Sequence, residues 1–305
     1  MAAVTDPLLD TLDLSFLGSL SIRKFHHYQD LLELSDLDAV VIAAASTSHA
    51  EIFKASAVTL KPVFCERPLS LTLGDALTVH HLFEHDHIPL QMGFMRRFDR
   101  HYLTDKELVD NGRTGRPYGY HGISRDRVGP PASIVQYSGG FYLDTGVHEF
   151  DLVRWLLNTE IVFVFSRGDL YNHQEYQPFR DVDHTHLSLR CASGALGVVE
   201  LSRDAVYGYI RTEVLGTNGA IQVAPVSRWA TALLLDGKII ADTYRDYCDR
   251  FQEAYLNEMR EFLGSVREGR AVPVGSLDGI RATLVAETGI RSLSSGRDGL
   301  VASPV

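Results

Sequence analysis

Asp38-Ala-Val-Val-Ile-Ala-Ala-Ala45 is a continuous apolar run that is followed by the polar residues Ser46 to His49. A short run of small and β-branched apolar side chains predicts a strand that is buried on both faces of a parallel sheet. Two further apolar runs, Lys61-Pro-Val-Phe-Cys-Glu66 and Ile88 to Phe94, come after it, with helical patterns between the three. This alternation of strands and helices predicts a parallel α/β sheet in residues 1–97.

The pattern changes after Arg100. Segments that alternate between apolar and polar residues follow, separated by turn residues at Ser193-Gly194 and Thr217-Asn218-Gly219, which predicts antiparallel hairpins. Two long helical patterns, each with a glycine stop, close the chain. We therefore predict a second unit, residues 98–305, of α+β class with a large, mostly antiparallel open sheet. We expect its last helix to pack back on the first unit.

The charge balance limits the partners of this chain. Its 305 residues include 29 basic and 39 acidic side chains, a formal net charge of −10 at pH 7. A nucleic-acid partner is excluded on that ground, and a small-molecule ligand is expected. The three cysteines are far apart and match no disulfide framework or metal spacing. With no signal-peptide pattern and no apolar run near the ~20 residues of a membrane span, we expect a cytoplasmic protein with no membrane partner.

Five short motifs occur in register over nearly the whole chain. They are Val63-Phe-Cys-Glu-Arg-Pro68, Gly93-Phe-Met-Arg-Arg-Phe-Asp99, Ser124-Arg-Asp126, the segment Ser138 to Asp151, and Ser202-Arg203 with the residues up to Val214. Together they resemble the glucose–fructose oxidoreductase and inositol dehydrogenase (Gfo/Idh/MocA) family. The resemblance implies a Rossmann-type first domain, NAD as cofactor, and hydride transfer from a sugar or polyol secondary alcohol. It also implies a homo-oligomer, a dimer or tetramer, assembled through the outer face of the antiparallel sheet.

The resemblance assigns three catalytic positions. His148 is the base that takes the hydroxyl proton, and Asp144, four residues earlier, is its partner or a substrate ligand. A nearby carboxylate orients an imidazole and favours its charged form. The third position, a catalytic lysine in the family, is Arg67 here. Because arginine stays protonated, it cannot act as a base, but it can hold an oxyanion or a hydroxyl group. The alternative is a structural role for all three: a salt-bridged strand end, a helix cap and a packed histidine.

The start of the chain departs from the family. No G-x-G-x-x-G loop, which would hold a pyrophosphate at a helix N-terminus, occurs in the sequence. Ala2 to Pro7 resembles the family's second strand, so we expect the first strand, the glycine-rich loop and the first helix to be absent, by biology or by truncation. Asp6 would then favour NAD over NADP. The strand at Val40 would have an open edge, which we expect residues 1–5 or a second subunit to cover.

Further residues are weaker candidates. The cofactor-binding set is completed by Ser46, His49 and Glu66, which lie at strand ends. A polyol pocket needs several hydroxyl partners, for which the candidates are Arg97, Arg125, Asp126, Tyr207 and Tyr209. No metal site is predicted. His184 and His186 alternate along a strand and are interpreted as surface side chains, and the histidines between 80 and 87 as a solvated helix end.

Three functions therefore stay open. The first is an NAD-dependent polyol or sugar dehydrogenase, impaired or repurposed by the two departures. The second is a cofactor-independent isomerase, lyase or cyclase that uses Asp144 and His148 as an acid–base pair beside Arg67. The third is a non-catalytic binding protein derived from the enzyme.

Overall fold

A computed structural model describes most of the chain. The described residues are 3–15, 18, 21–205, 209–223, 232–235, 238–241 and 244–302. None of the helices in this part of the chain is both long enough and apolar enough to cross a membrane.

The first part of the chain carries five short parallel strands. β3 (Val40–Ile42), β4 (Val63–Glu66) and β5 (Leu90–Gly93) form one sheet in that order. β1 (Ala3–Thr5) and β2 (Arg23–Phe25) form a separate two-stranded sheet. The Rossmann-type parallel arrangement is thus confirmed, but its strands are divided between two separate sheets.

The division of the parallel strands into two sheets corrects one prediction. Ala3 to Thr5 pair with Arg23 to Phe25 and not with β3, so these residues do not cover the open edge of the Val40 strand. Among the described residues, no strand pairs with that edge. Val41, in the middle of β3, is 52% exposed, on the sheet face opposite the buried Val40 and Ile42. Covering by a second subunit stays a prediction.

Three helices accompany the parallel strands: α1 (Tyr28–Leu32), α2 (His49–Ala57) and α3 (Leu73–His85). Thr72 caps the N-terminus of α3, because its Oγ1 accepts a hydrogen bond from the Asp75 amide at 3.1 Å. α2 and α3 pack through an edge-to-face contact between Phe53 and Phe83.

The second part is built on a seven-stranded, mostly antiparallel sheet in the order β11-β10-β6-β9-β8-β7-β14. Its strands are β6 (Pro117–Arg125), β7 (Ile161–Asp169), β8 (His184–Cys191), β9 (Leu196–Ser202), β10 (Tyr209–Gly216), β11 (Ala220–Val223) and β14 (Gly299–Leu300). β12 (Ala232–Leu235) and β13 (Lys238–Ala241) form a separate hairpin. The predicted fold class is confirmed; β6 and β7 were not singled out in the sequence.

Five helices belong to this part: α4 (Arg100–Asp110), α5 (Ala132–Ser138), α6 (Val147–Leu157), α7 (Tyr247–Glu268) and α8 (Ser276–Ser295). α8 runs across both parts of the molecule. The α8 residue Ser276 is 2.8 Å from His80 Nδ1 of α3, and the α8 residue Ser292 receives the β7 amide of Ser166 at 3.0 Å.

One hydrophobic core extends through both parts. Buried apolar residues from Val40 in β3 to Ala286 in α8 belong to a single cluster. Because this core contains residues from both sides of residue 97, it marks no domain boundary there, and the predicted boundary at residue 97 stays a prediction. The continuous core holds the carboxyl end of β4 rigidly against α6, which positions the site described next.

Candidate active site

Arg67 directly follows β4 and faces the start of α6. The turn before α6, Tyr142–Gly146, is π-helical and runs straight into Val147. Such wide turns are rare and occur most often at functional sites. The turn carries Asp144, and His148 lies in the first turn of α6.

The Arg67 guanidinium lies between the two predicted acid–base residues. Its Nη1 donates to Asp144 Oδ1 at 2.6 Å, and its Nε donates to His148 Nε2 at 3.1 Å. The three side chains that sequence analysis grouped thus meet, but Asp144 and His148 meet through the arginine.

A second arginine completes the cluster. Arg203 Nη1 donates to Asp144 Oδ2 at 2.8 Å, and the Arg203 guanidinium also lies over the Phe141 ring. Arg203 is only 1% exposed, so the positive charge of its guanidinium is balanced by the carboxylates of Asp144 and Asp181 rather than by water. Arg203 lies within one of the five sequence motifs, but no role was predicted for it, because only the fold brings the end of β9 to the π-helical turn.

Asp144 is held in its ionised form. Burial by itself raises the pKa of this carboxyl, but the guanidinium groups of Arg67 and Arg203 outweigh burial and bring the pKa below its ordinary value. Each carboxylate oxygen accepts from a different arginine. The arrangement is a fixed anion between two fixed cations.

His148 is held in its neutral form. Burial lowers its pKa well below the ordinary value, and the charges of Arg67 and Arg96 lower it further. Because Nε2 accepts from Arg67, the proton of the neutral ring is assigned to Nδ1. Nδ1 is buried and has no hydrogen-bond partner among the described residues. In this geometry the expected stabilisation of the imidazolium by Asp144 does not occur, since a cation separates the two.

Two further elements face the cluster. Asp126, after β6, interacts electrostatically with Arg203 and Asp144, and burial raises its pKa to about 6. Two tyrosines of α7, Tyr247 and Tyr255, lie close enough to Arg67 for their phenol groups to interact electrostatically with its guanidinium. The cluster is therefore bordered by a carboxyl group that titrates near neutrality and by phenol side chains, which are suitable partners for hydroxyl groups.

The predicted cofactor residues lie at the carboxyl ends of the parallel strands. Asp6 follows β1, and its Oδ1 accepts from the Leu8 amide at 2.7 Å. Glu66 ends β4, and a Cβ on Gly93 of β5 would lie 2.9 Å from Glu66 Oε2, so the glycine leaves room for this carboxyl. Ser46 begins the short 3₁₀ turn before α2.

His49 is the exception among the cofactor candidates. It is 1% exposed, and its two ring nitrogens contact the backbone carbonyls of Pro68 and Ala44 at 2.8 and 3.1 Å. Both nitrogens are thus directed at the backbone, and His49 ties the loop after β4 to the loop after β3. This geometry gives it a positioning role rather than contact with a ligand.

The structure separates most of the predicted substrate residues from the cluster. Arg97 is paired with Asp151 and Asp278 in a buried ion-pair network. Arg125 lies on the sheet face opposite the buried Ser124, paired with Glu200 and with its guanidinium over the Tyr209 ring. Tyr207 lies outside the described residues. Asp126 is the candidate from this set that the fold brings to Arg67, Asp144 and Arg203.

Comparisons with known proteins give a consistent result. A family model described as the oxidoreductase family with an NAD-binding Rossmann fold matches residues 10–94. A second one, described as the GFO/IDH/MocA C-terminal domain, matches residues 102–222.

Among curated relatives, scyllo-inositol 2-dehydrogenase (NAD(+)) of Bacillus subtilis is 35% identical over 272 residues, which cover 89% of this chain and 79% of the relative. Myo-inositol 2-dehydrogenase of Thermotoga maritima is 36% identical over 271 residues, which cover 88% of this chain and 81% of the relative.

Solved structures agree with these relatives. A probable dehydrogenase from Thermotoga maritima has a TM-score of 0.92 at 32% identity, covering 99% of this chain and 92% of its own. Scyllo-inositol dehydrogenase from Lactobacillus casei, solved with bound NAD(H) and scyllo-inositol, has a TM-score of 0.91 at 25% identity. The match covers 99% of this chain and 92% of that protein's chain.

Proposed function

The chain belongs to the GFO/IDH/MocA oxidoreductase family, and from that premise we propose that it is a polyol dehydrogenase. Its substrate would be a cyclic polyol of the inositol class, oxidised at one secondary alcohol. The observation that carries the proposal is the cluster of Arg67, Asp144 and His148 at the carboxyl end of β4, where ligands bind in open α/β sheets.

The charge pattern of the cluster suits a polyol. Each hydroxyl group of such a ligand donates one hydrogen bond and accepts others, so alternating cations and anions bind adjacent hydroxyl groups. Arg67 and Arg203 supply fixed donors, and the ionised Asp144 supplies acceptors. Asp126, with a pKa of about 6, adds a carboxyl that can donate or accept.

His148 supports proton transfer only when Arg67 moves. The imidazole lone pair on Nε2 accepts from Arg67 Nε, so it is not available to a substrate hydroxyl in this arrangement. A ligand hydroxyl that takes over the hydrogen bond from Arg67 would free Nε2 to act as the base. We therefore expect slow turnover, limited by the guanidinium.

The described residues fit a nicotinamide cofactor at its two ends. The carboxylate of Asp6 fits the paired hydroxyl groups of an adenosine ribose and repels a 2′-phosphate, which favours NAD. Glu66 and Ser46 lie at strand ends that lead toward the cluster. For the pyrophosphate, the part of the chain that the structure describes has no glycine-rich turn at this sheet edge. When bound, the nicotinamide supplies the hydride acceptor.

A second candidate is favoured by the arginine itself. Two permanently charged guanidinium groups beside a neutral imidazole can stabilise an enolate without any nicotinamide. An isomerase, lyase or cyclase would use the same cluster. The two proposals differ in whether a nicotinamide takes up hydride.

The deciding experiment combines cofactor binding with isotope transfer. Purified protein is titrated with NADH and NADPH, and myo- or scyllo-inositol deuterated at the reacting carbon is then supplied with NAD. Deuterium in the NADH that forms, lost in His148→Asn, supports the dehydrogenase. His87→Asn is the matched control, because His87 is exposed and has a positive φ of 54° that asparagine tolerates.

Two other results would separate the remaining functions. Absence of NADH binding up to millimolar concentration would refute the dehydrogenase. For the cofactor-independent enzyme the probe is a keto-inositol deuterated at the carbon next to its carbonyl group, and exchange of that deuterium with solvent, without nicotinamide and dependent on His148, would then identify it. Polyol binding that His148→Asn leaves unchanged, without turnover, would identify a binding protein.

We also propose a homo-oligomer formed through the outer face of the antiparallel sheet. Leu196 and Val198 of β9 are 62% and 43% exposed on this face. Light scattering after size exclusion tests it: Val198→Glu is expected to reduce the mass to that of one chain, and a monomeric wild-type protein would contradict the proposal.

A further inference from the structure

We propose that His184, His186 and Glu200 form a binding site for one divalent transition-metal ion, zinc(II) by its chemistry. The site lies on the outer face of the antiparallel sheet. Among the residues that the structure describes, this is the only group of three histidine, cysteine or carboxylate side chains whose ligand atoms come together within 4.8 Å.

The sheet register places the three side chains on one face. His184 and His186 are two residues apart on β8, and His186 pairs directly with Glu200 on β9. Alternate residues of β8, such as Thr185 and Leu187, are buried on the opposite face. Paired strands inside a seven-stranded sheet are a rigid support, so the donors are held in place before an ion arrives.

The distances match a metal site. His184 Nε2 and His186 Nε2 are 3.1 Å apart. Two imidazole nitrogens at the zinc–nitrogen distance of ~2.0–2.1 Å, in tetrahedral geometry, would lie about 3.3 Å from each other. A carboxylate oxygen of Glu200 lies within 4.8 Å of a ring nitrogen of each histidine, so a short movement of this side chain would be needed for it to join the coordination sphere, and water would fill the remaining position.

The donor set selects the class of ion. Two imidazoles with one carboxylate suit zinc, nickel, cobalt or copper, whereas magnesium and calcium prefer oxygen donors alone. In the single chain His186 is exposed and the other two residues are partly exposed. The three side chains lie on the sheet face that we propose as the subunit interface, so in the oligomer the ion would be bound at or beside that interface.

Neighbouring side chains orient two of the ligands. Arg125 Nε donates to Glu200 Oε1 at 2.6 Å, so the metal would take the second oxygen. The Tyr171 ring lies edge-to-face with His184 at 6.0 Å. Such outer contacts fix ligand orientation in metal sites, although the charge of Arg125 limits the affinity. We expect a dissociation constant in the micromolar range.

Metal binding tests the site without reference to turnover. The full chain with Cys248→Ser, which removes the exposed thiol, is dialysed against zinc(II), and bound zinc is measured by mass spectrometry. Cobalt(II) gives the ligand set by its visible spectrum. About one ion per chain is expected, with at least tenfold weaker binding in His186→Ala and in Glu200→Gln.

The control is a second histidine that resembles a metal ligand in sequence. His81 is exposed on α3, within the histidine-rich stretch from 80 to 87, and His81→Ala should bind zinc as the parent does. Loss of binding in His81→Ala would overturn the proposal, as would equal binding by the parent and His186→Ala. Unchanged circular dichroism of metal-free His186→Ala ensures that a loss of binding is not a loss of fold.

Discussion

Replacing Arg67 by methionine should raise the pKa of His148. The substitution keeps an unbranched side chain of similar reach but removes the charge whose Nε lies 3.1 Å from His148 Nε2. Two unit charges about 4 Å apart interact by about 4 kcal/mol at an effective dielectric constant of 20 and by about 1 kcal/mol in bulk water. Removal of the guanidinium should therefore favour the imidazolium of His148 by about 1–4 kcal/mol, which raises its pKa measurably. Burial remains, so the pKa stays at or below the ordinary histidine value.

Nuclear magnetic resonance measures this shift without substrate or cofactor. In protein labelled at the Cε1 atoms of its 13 histidines, His148→Asn assigns the signal, and pH is varied between 4 and 9. The wild-type His148 signal should titrate, if at all, well below the pH at which exposed histidines titrate, whereas in the variant the titration should move to higher pH. Arg113→Met, at an exposed position, is the matched control and should change nothing. An unchanged His148 pKa in a folded Arg67→Met protein would refute the contribution of the Arg67 charge to the lowered pKa of His148.

Three further predictions concern stability and its pH dependence, each measured by urea unfolding. Asp144→Asn leaves the buried guanidinium of Arg203 and the partly exposed guanidinium of Arg67 without their shared anion, and it should lower the free energy of unfolding by about 3 kcal/mol; a loss as small as that in the exposed Asp110→Asn would contradict it. Burial, with the charge of Glu66, raises the pKa of Glu258 to about 9, so the folded state keeps a proton that the unfolded state loses. The free energy of unfolding should therefore fall by about 1.4 kcal/mol per pH unit between about pH 5 and 8. Glu258→Gln should flatten this slope, and equal slopes in the wild type and the variant would refute the conclusion that Glu258 is protonated in the folded state. Thr72→Ala removes the N-cap of α3 and should cost about 1 kcal/mol, against no measurable change if the cap contributes nothing.

Local patterns were enough to predict most of the elements. Apolar runs of strand length gave β3, β4 and β5, and the turn at Ser193-Gly194 gave the β8–β9 hairpin, because these signals depend on neighbouring residues alone. What lies beside β3 could not be predicted in this way. Pairing of β1 with β2 is a non-local choice, and among the described residues it leaves one edge of β3 without a partner strand.

The candidate site shows the same division. The spacing of Asp144 and His148, and the resemblance that linked them to Arg67, brought the right three residues together. The order of contacts within the cluster was decided by tertiary structure. The end of β4 inserts a guanidinium between the two, and Arg203 arrives from the end of β9. Arg125 was assigned to the pocket, yet its strand parity directs it to the outer face beside Glu200.

The sequence by itself determined the fold class, the family resemblance and the identities of the charged groups. Those properties depend on residue type and on spacing along the chain, which any conformation preserves. Only the tertiary structure decided the protonation states, since burial and the distance between charges set them. A histidine and a carboxylate four residues apart predict an acid–base pair. In the fold, burial and the charge of Arg67 keep His148 neutral, while Arg67 and Arg203 keep Asp144 ionised.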